Sequence, residues 1–486
     1  MEISNIITTI ASIIIFINLL LALGVLFFEK RDVGYTWAWL LVLFFIPIIG
    51  FFIYIFLGRS LKQNNFYGLT EEEKKLLKDE VHTQLAMIDK EKQNAASSPW
   101  LKQYEDLITM NLRSSHARLS EDNDIFIFHD GHQKFDALIN DILAAKQEIN
   151  VQYYIIQPDN LGKRVRDALV MKAKEGLKVR VLYDEVGSKK LPVGFFHELK
   201  RAGGEVRVFF PSFLKLINFR INNRNHRKLV IIDGKHSYIG GFNVGDEYLG
   251  EDKKFGYWRD THFKIIGNAV NDIQVRFVMD WHQAGKDKTW NYKEFRFYLE
   301  KHHGTSPVQI ISSGPNSKTE HLKNMYIKMI HSAEESVFIQ TPYFIPDTSF
   351  MDACKMALLS GIDVRIMIPC KPDHPFVYWA TWACAGDLLE YGAKILLYEN
   401  GFLHAKTIVV DKKIASVGTM NIDSRSFRLN FEVNAVTYDE GVSQELYRIF
   451  EKDSKLSSEL TPERYNNRSL LIKFKEGVSR LLSPIL

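Results

Sequence analysis

The sequence predicts an α/β protein: two duplicated α/β sandwich domains, their sheets mostly parallel or mixed with helices on both faces, packed pseudo-symmetrically behind a two-helix transmembrane hairpin. Three observations lead there. Two uncharged runs open the chain, Ile6–Phe28 and Val33–Gly58. Beyond them, strand-like and helix-like stretches alternate in the same order twice, which points to an internal duplication. One template, H-x-K-x4-D-x6-G-x-x-N, also occurs twice, at His226–Asn243 and at His404–Asn421. At 486 residues the chain exceeds what one hydrophobic core usually supports, in keeping with more than one folded unit.

At a rise of about 1.5 Å per residue, each uncharged run can cross a hydrocarbon layer of about 30 Å. A cleaved signal peptide is the rival for the first run, with small residues at Ala22-Leu23-Gly24. Glu2 in place of a basic cluster, and a second apolar run directly behind, argue against it. Glu29-Lys30-Arg31-Asp32 is long enough only for a tight turn, so the N-terminus and the body share one face. Arg59, Lys62, Lys74, Lys75 and Lys78, set against Lys30 and Arg31, favour the cytoplasm for that face. The expectation is a multi-pass cell-membrane protein with Tyr35, Trp37 and Trp39 as interfacial anchors. Residues 1–60 then form the hairpin and 61–120 a linker region. Within the linker, Thr70–Gln93 reads as an amphipathic helix opened by a Thr70–Glu73 capping box, and Ala95-Ala96-Ser97-Ser98-Pro99 as a boundary.

The first domain, 121–300, begins with a strand at Ile125–Ile127 and a helix at Phe135–Lys146. A strand at Ile149–Ile156, a helix at Gly162–Glu175 and a strand at Lys178–Tyr183 follow. The second, 301–486, repeats this order with Val308–Ile311, His321–Ala333, Val337–Gln340, a helix before Gly361 and Val364–Ile368. V-Q-Y-Y-I at Val151 is echoed by I-Q-T-P-Y-F at Ile339, and G-L-K-V-R-V at Gly176 by G-I-D-V-R-I at Gly361.

A net charge of +4, from 62 basic and 58 acidic residues, says little about partners. The local balance says more: between Arg201 and Lys228 the only acid is Glu205, which suits phosphate or an anionic surface. Cys354, Cys370 and Cys384 offer neither a disulfide framework nor zinc spacing, and read as buried thiols.

The repeated template carries the chemistry. In each copy histidine and lysine lie two apart at what reads as the start of a buried strand, so His226 aims with Lys228 and His404 with Lys406. Asp233 and Asp411 complete the catalytic motif, but their odd offset turns them to the other face and toward a structural role. A catalytic imidazole needs a partner on its second nitrogen. Asp260 in W-R-D-T-H-F-K-I and Glu432 in N-F-E-V-N-A-V are the candidates, each downstream of the histidine in its own half. Asn243 and Asn421 end glycine-containing turns, where an amide can donate to a phosphate oxygen. Two histidines, two lysines and two asparagines make a pocket for one phosphodiester, with no metal and no cofactor required.

These paired motifs resemble the signatures of the phospholipase D superfamily, over about Asp122 to the C-terminus. With the hairpin, W-R-D-T-H, G-F-L-H-A-K and the ending R-L-L-S-P-I-L, the chain looks like the bacterial cardiolipin synthase family within it. The resemblance implies two phospholipase D-like domains that move a phosphatidyl group between two phosphatidylglycerol molecules. Cardiolipin and glycerol would form through a phosphatidyl-histidine. Phosphatidylglycerol would be donor and acceptor, the bilayer a partner, and no nucleic acid is expected. It further implies His226 as nucleophile, His404 as acid and base, and a hydroxyl on phosphate that Thr419 supplies and Gly241 lacks. A phospholipase D-type hydrolase or another phosphatidyltransferase, such as a phosphatidylserine synthase, uses the same site; a membrane-anchored nuclease tracking the basic run is the remoter alternative. Val208–Arg220 and the cluster Phe376, Tyr378, Trp379 and Trp382 are candidates to border a lipid entrance.

Overall fold

The computed structural model describes residues 2–28, 33–54, 58, 66–92, 98–212, 220, 222–285, 295–297 and 302–482. By internal contacts the chain forms two compact units, one of Met1–Asn64 with Phe210–Asn223, the other of Asn65–Phe209 with Arg224–Leu486.

In the first unit Glu2–Phe28 is one unbroken helix. Its Asn5–Gly24 segment is, among the described residues, the one helical stretch long and apolar enough to cross a membrane. The second apolar run departs from expectation. It divides into helices Val33–Phe45 and Pro47–Ile53, with Ile46 leaving helical geometry in front of Pro47. Proline disfavours the helical conformation in the residue before it and cannot donate a backbone bond. The Leu43 carbonyl four residues back from Pro47 is reached instead by the Asn18 side chain, which also donates to the Pro47 carbonyl. Trp37 is exposed, whereas Trp39 packs edge-on against Tyr54. The expected turn Glu29–Asp32, the anchor side chain of Tyr35, Arg59 and Lys62, and most of Val208–Arg220 lie outside the described residues.

In the second unit the capping box is present: the Glu73 carboxylate accepts from the Thr70 N–H at 2.8 Å, and the Thr70 hydroxyl accepts from the Glu73 N–H at 3.2 Å. The helix it opens runs Glu71–Lys92. The following helix, Pro99–Ser115, buries Tyr104, Leu107, Ile108 and Leu112 against the second half.

Both halves feed one sheet, 16 strands among the described residues. From one edge the first half contributes Glu205–Phe209, Lys178–Asp184, Glu148–Tyr153, Leu229–Ile232, His236–Gly240, His262–Gly267 and Leu119–Phe128. Leu119–Phe128 pairs antiparallel with Ser306–Ser313, and the second half then repeats the order in reverse. Its strands are Asn430–Thr437, Ile414–Gly418, Thr407–Val410, Ser336–Gln340, Asp363–Pro369 and Lys394–Tyr398, with Ser457–Glu459 at the far edge. The halves are thus joined edge to edge about a pseudo-two-fold axis between those two central strands.

The sheet is mixed rather than mostly parallel. Along the main strand order, parallel pairing is confined to the outer three core strands of each half, where helices Asn160–Lys174 and Thr348–Leu359 provide crossovers; the two-residue strand Arg224–Asn225 adds one short parallel pair. The motif strands Leu229–Ile232 and Thr407–Val410 instead reverse through tight turns and pair antiparallel with the strands that follow. Those turns hold Asp233 and Asp411 in the left-handed region, at φ 55° and 52°. Of the cysteines, Cys354 and Cys384 are buried, but Cys370 is only half-buried.

Candidate active site

Each motif histidine sits just outside its strand. His226 lies between the two-residue strand Arg224–Asn225 and the strand Leu229–Ile232, and His404 between Phe402–Leu403 and Thr407–Val410. The short leading strands cross the pseudo-two-fold axis. Arg224–Asn225 pairs with Asn430–Phe431 of the second half, and Phe402–Leu403 with Trp258–Arg259 of the first. Backbone bonds continue the crossing: the His226 N–H donates to the Phe431 carbonyl at 3.0 Å and the His404 N–H to the Arg259 carbonyl at 2.7 Å.

This crossing corrects the expected pairing of acids. His226 Nδ1 lies 3.0 Å from both Glu432 carboxylate oxygens, and His404 Nδ1 lies 2.6 Å from Asp260. Each histidine is therefore held by the acid of the opposite half. Sequence order suggested the reverse because it cannot show which strand ends meet across the axis. Burial works against charge on both acids, yet His226 and Lys228 hold the Glu432 carboxyl below its ordinary range, and Lys406 and His404 do the same for Asp260. Burial pushes His226 down against the pull of Glu432. Burial and then Lys406 push His404 down to about 3 against Asp260.

The surroundings of the two Nδ1 atoms differ. His226 Nδ1 faces acceptors, the Glu432 carboxylate and the Thr419 carbonyl at 3.1 Å. His404 Nδ1 faces an acceptor and a potential donor, because Lys406 Nζ is 2.7 Å away. Lys228 Nζ donates to the His226 carbonyl at 2.6 Å, and Lys406 Nζ also reaches the His404 carbonyl. Both lysines are buried behind their histidines, and burial lowers Lys228 to about 7 and Lys406 to about 8.

Asp233 and Asp411 face away from the histidines. The Asp233 carboxylate accepts the N–H groups of Lys146, Gln147 and Glu148 at 2.7–3.0 Å, and Asp411 those of Glu334, Glu335 and Ser336 at 2.8 Å. Each aspartate thus ties the motif turn to the start of the neighbouring strand.

The hydroxyl expected on phosphate is committed elsewhere. Thr419 Oγ1 donates to Glu432 at 2.5 Å and accepts from the Val433 N–H at 3.0 Å. At the equivalent Gly241, a Cβ would stand 1.9 Å from an Asp260 carboxylate oxygen, so the shorter acid occupies the space that a side chain would take.

A cleft of about 580 Å³ opens onto both histidines and is bordered by Asn243 and Asn421. The Asn243 amide donates to the Tyr248 hydroxyl at 3.3 Å, and its carbonyl accepts from the Ile155 N–H. Sequence reasoning missed further residues of this wall: Tyr154, Tyr343, Arg224, Arg425 and His374. The signal for the tyrosines was present, since both lie within the V-Q-Y-Y-I and I-Q-T-P-Y-F echoes, although one position apart: Tyr154 matches Pro342 and Tyr343 matches Ile155. Arg224 carried the basic run into the site. Its neighbours in that run have internal duties, as Arg227 pairs with buried Asp280 at 2.6 Å and Lys228 is enclosed. From the aromatic cluster, Phe376, Tyr378, Trp379 and Trp382 ride on helix Pro375–Gly386, whose Val377 reaches the cleft.

The family model described as "Cardiolipin synthase, PLD-like domain" matches residues 138–256 and 326–454, and one described as "Phospholipase_D-nuclease N-terminal" matches 10–59. The major cardiolipin synthase ClsA of Bacillus subtilis is 53% identical over 475 residues, 98% of each chain. The chain belongs to the cardiolipin synthase family of the phospholipase D superfamily. A cardiolipin synthase of Listeria innocua is 52% identical over 474 residues, 98% of each chain. In fold, the phosphatidylserine synthase of Haemophilus influenzae Rd KW20 is similar, with TM-score 0.59 and 16% identity over 80% of this chain and 100% of that one.

Proposed function

We infer that the chain is a phosphatidyltransferase that makes cardiolipin and glycerol from two molecules of phosphatidylglycerol. Two histidines, each backed by the carboxylate of the other half and opening on one cleft, carry this reading. With only acceptors around it, His226 Nδ1 keeps its proton and leaves an Nε2 lone pair for attack on phosphorus. His404 acts as the imidazolium: the Asp260 carboxylate holds its Nδ1 proton, and the second proton, on Nε2, is the one it gives to the leaving oxygen.

In the first step the His226 Nε2 lone pair forms a bond to phosphorus and the bond to the glycerol oxygen breaks. His404 protonates that oxygen and glycerol departs. In the second step His404 takes the proton from a free hydroxyl of the incoming phosphatidylglycerol. The freed oxygen attacks phosphorus, the phosphorus–nitrogen bond breaks, and cardiolipin is released with both histidines restored. Lys228 and Lys406 supply positive charge behind the reacting groups, and Arg224 and Arg425 border the cleft with charge suited to lipid phosphates. Asn243 and Asn421 contact phosphate oxygens, while Asp233 and Asp411 maintain the scaffold.

The proposed domain plan is a membrane region over 1–60, a linker region over 61–120 and phospholipase D-like domains over 121–300 and 301–486. Residues 1–60 span the bilayer as a hairpin, with the body on the cytoplasmic face. Labelled phosphatidylglycerol supplied in vesicles tests the activity. Equal amounts of glycerol and cardiolipin are expected. Phosphatidic acid as the main product would overturn the reading in favour of hydrolysis.

A further inference from the structure

The C-terminal helix Leu470–Leu482 has its polarity reversed relative to a helix docked on a core. Its inner face, against helix Pro375–Gly386, carries Glu476 and Ser479, which are 4% and 1% exposed. Its outer face carries Leu470, Leu471, Phe474 and Leu481, which are 84%, 62%, 67% and 82% exposed. At about 100° per residue these four fall on one stripe. Basic residues flank the stripe, Lys475 on one side and Lys473 and Arg480 on the other, and Glu476 is the one acid in Arg468–Leu482. Arg480 is also anchored to the body through Asp387 at 2.9 Å, and Arg468 reaches Glu476 at 3.3 Å.

We propose that this helix lies in the plane of an anionic lipid surface, with its leucine and phenylalanine stripe among the acyl chains and its lysines and arginine at the phosphates. A soluble surface rarely exposes so continuous an apolar stripe without an occupant. The basic flanks select an anionic bilayer over a second copy of the chain, because two copies meeting here would bring like charges together. Position adds to this. The helix packs on Pro375–Gly386, whose Phe376 is itself exposed and whose Val377 reaches the cleft, so docking sets one wall of the cleft beside the lipid. This deepens the role of the aromatic cluster as a border to lipid without depending on which product forms.

The test uses the full chain carrying Phe474→Cys and Cys370→Ser, leaving Cys354 and Cys384 buried, with an environment-sensitive fluorophore at 474. In phosphatidylglycerol vesicles the label should move to a blue-shifted emission and be quenched by lipids brominated on the acyl chain. Quenching should fall at least tenfold in Leu471→Asp, and at least threefold in phosphatidylcholine vesicles. A label that stays water-exposed in phosphatidylglycerol vesicles would overturn the proposal. So would burial that follows protein concentration at fixed lipid, since that points to a second copy. A parallel label at Met171→Cys, on an exposed helix of the first half, should remain unquenched; quenching there too would mean nonspecific adsorption and also overturn the assignment.

Discussion

At the level of single residues, the motif aspartates and the acids that hold the histidines have separable roles. Glu432→Gln keeps the shape but removes the charge that holds His226 Nδ1–H, so kcat should fall about 10²–10⁴-fold with little change in Tm. Asp411→Asn weakens three charge-assisted backbone bonds instead. It should cost on the order of 2 kcal/mol of stability, while the folded fraction keeps near-normal activity, as denaturant titration beside the product assay will show. The lysines give a pH signature. Burial places Lys228 near 7 and Lys406 near 8, so both lose their proton well below the ordinary 10.5, and kcat/KM should decline as pH rises through that range. The same depression acts on stability with a definite sign. Between about pH 7 and 10.5 the unfolded chain holds a proton on Lys228 that the folded chain lacks, so stability rises with pH across that window and falls as pH drops through it. Replacing Lys228 with Met should flatten the slope in pH-dependent unfolding.

For the elements, the short leading strands decide the outcome. Sequence periodicity located the core strands and their crossover helices, because burial imposes a two-residue alternation that composition reveals. The odd offset of Asp233 and Asp411 was legible for the same reason. The two-residue strands Arg224–Asn225 and Phe402–Leu403 were not, since so short a segment has no period, and with them went the pairing of acids to histidines. Nor did hydropathy show that Pro47 would divide the second apolar run. Local packing was equally hidden at Gly241, which reads as a missing hydroxyl yet makes room for Asp260. Gly241→Ser should push Asp260 off His404 and lower kcat by at least about tenfold, whereas Thr419→Ser, which retains the hydroxyl on Glu432, should change it less than about threefold. Comparing the two variants in the product assay checks this.

For the molecule as a whole, the duplication does more than repeat a fold. The halves meet along Leu119–Phe128 and Ser306–Ser313, so one continuous sheet fixes both histidines relative to one another. If the halves are expressed as separate chains, 1–300 and 301–486, neither should show activity alone. Mixing them should restore turnover only under conditions where the central strands re-pair, which co-purification monitors.

The exchange of acids between halves also sets a schedule during synthesis. His226 waits for Glu432, which is 206 positions further along the chain, and at roughly 5–20 residues per second a ribosome needs about 10–40 s to deliver it. Throughout that interval the first half holds an imidazole with no carboxylate behind it. On the proposed mechanism the site is incomplete until the strand Asn430–Thr437 has been made, so a truncated first half should carry out no phosphatidyl transfer.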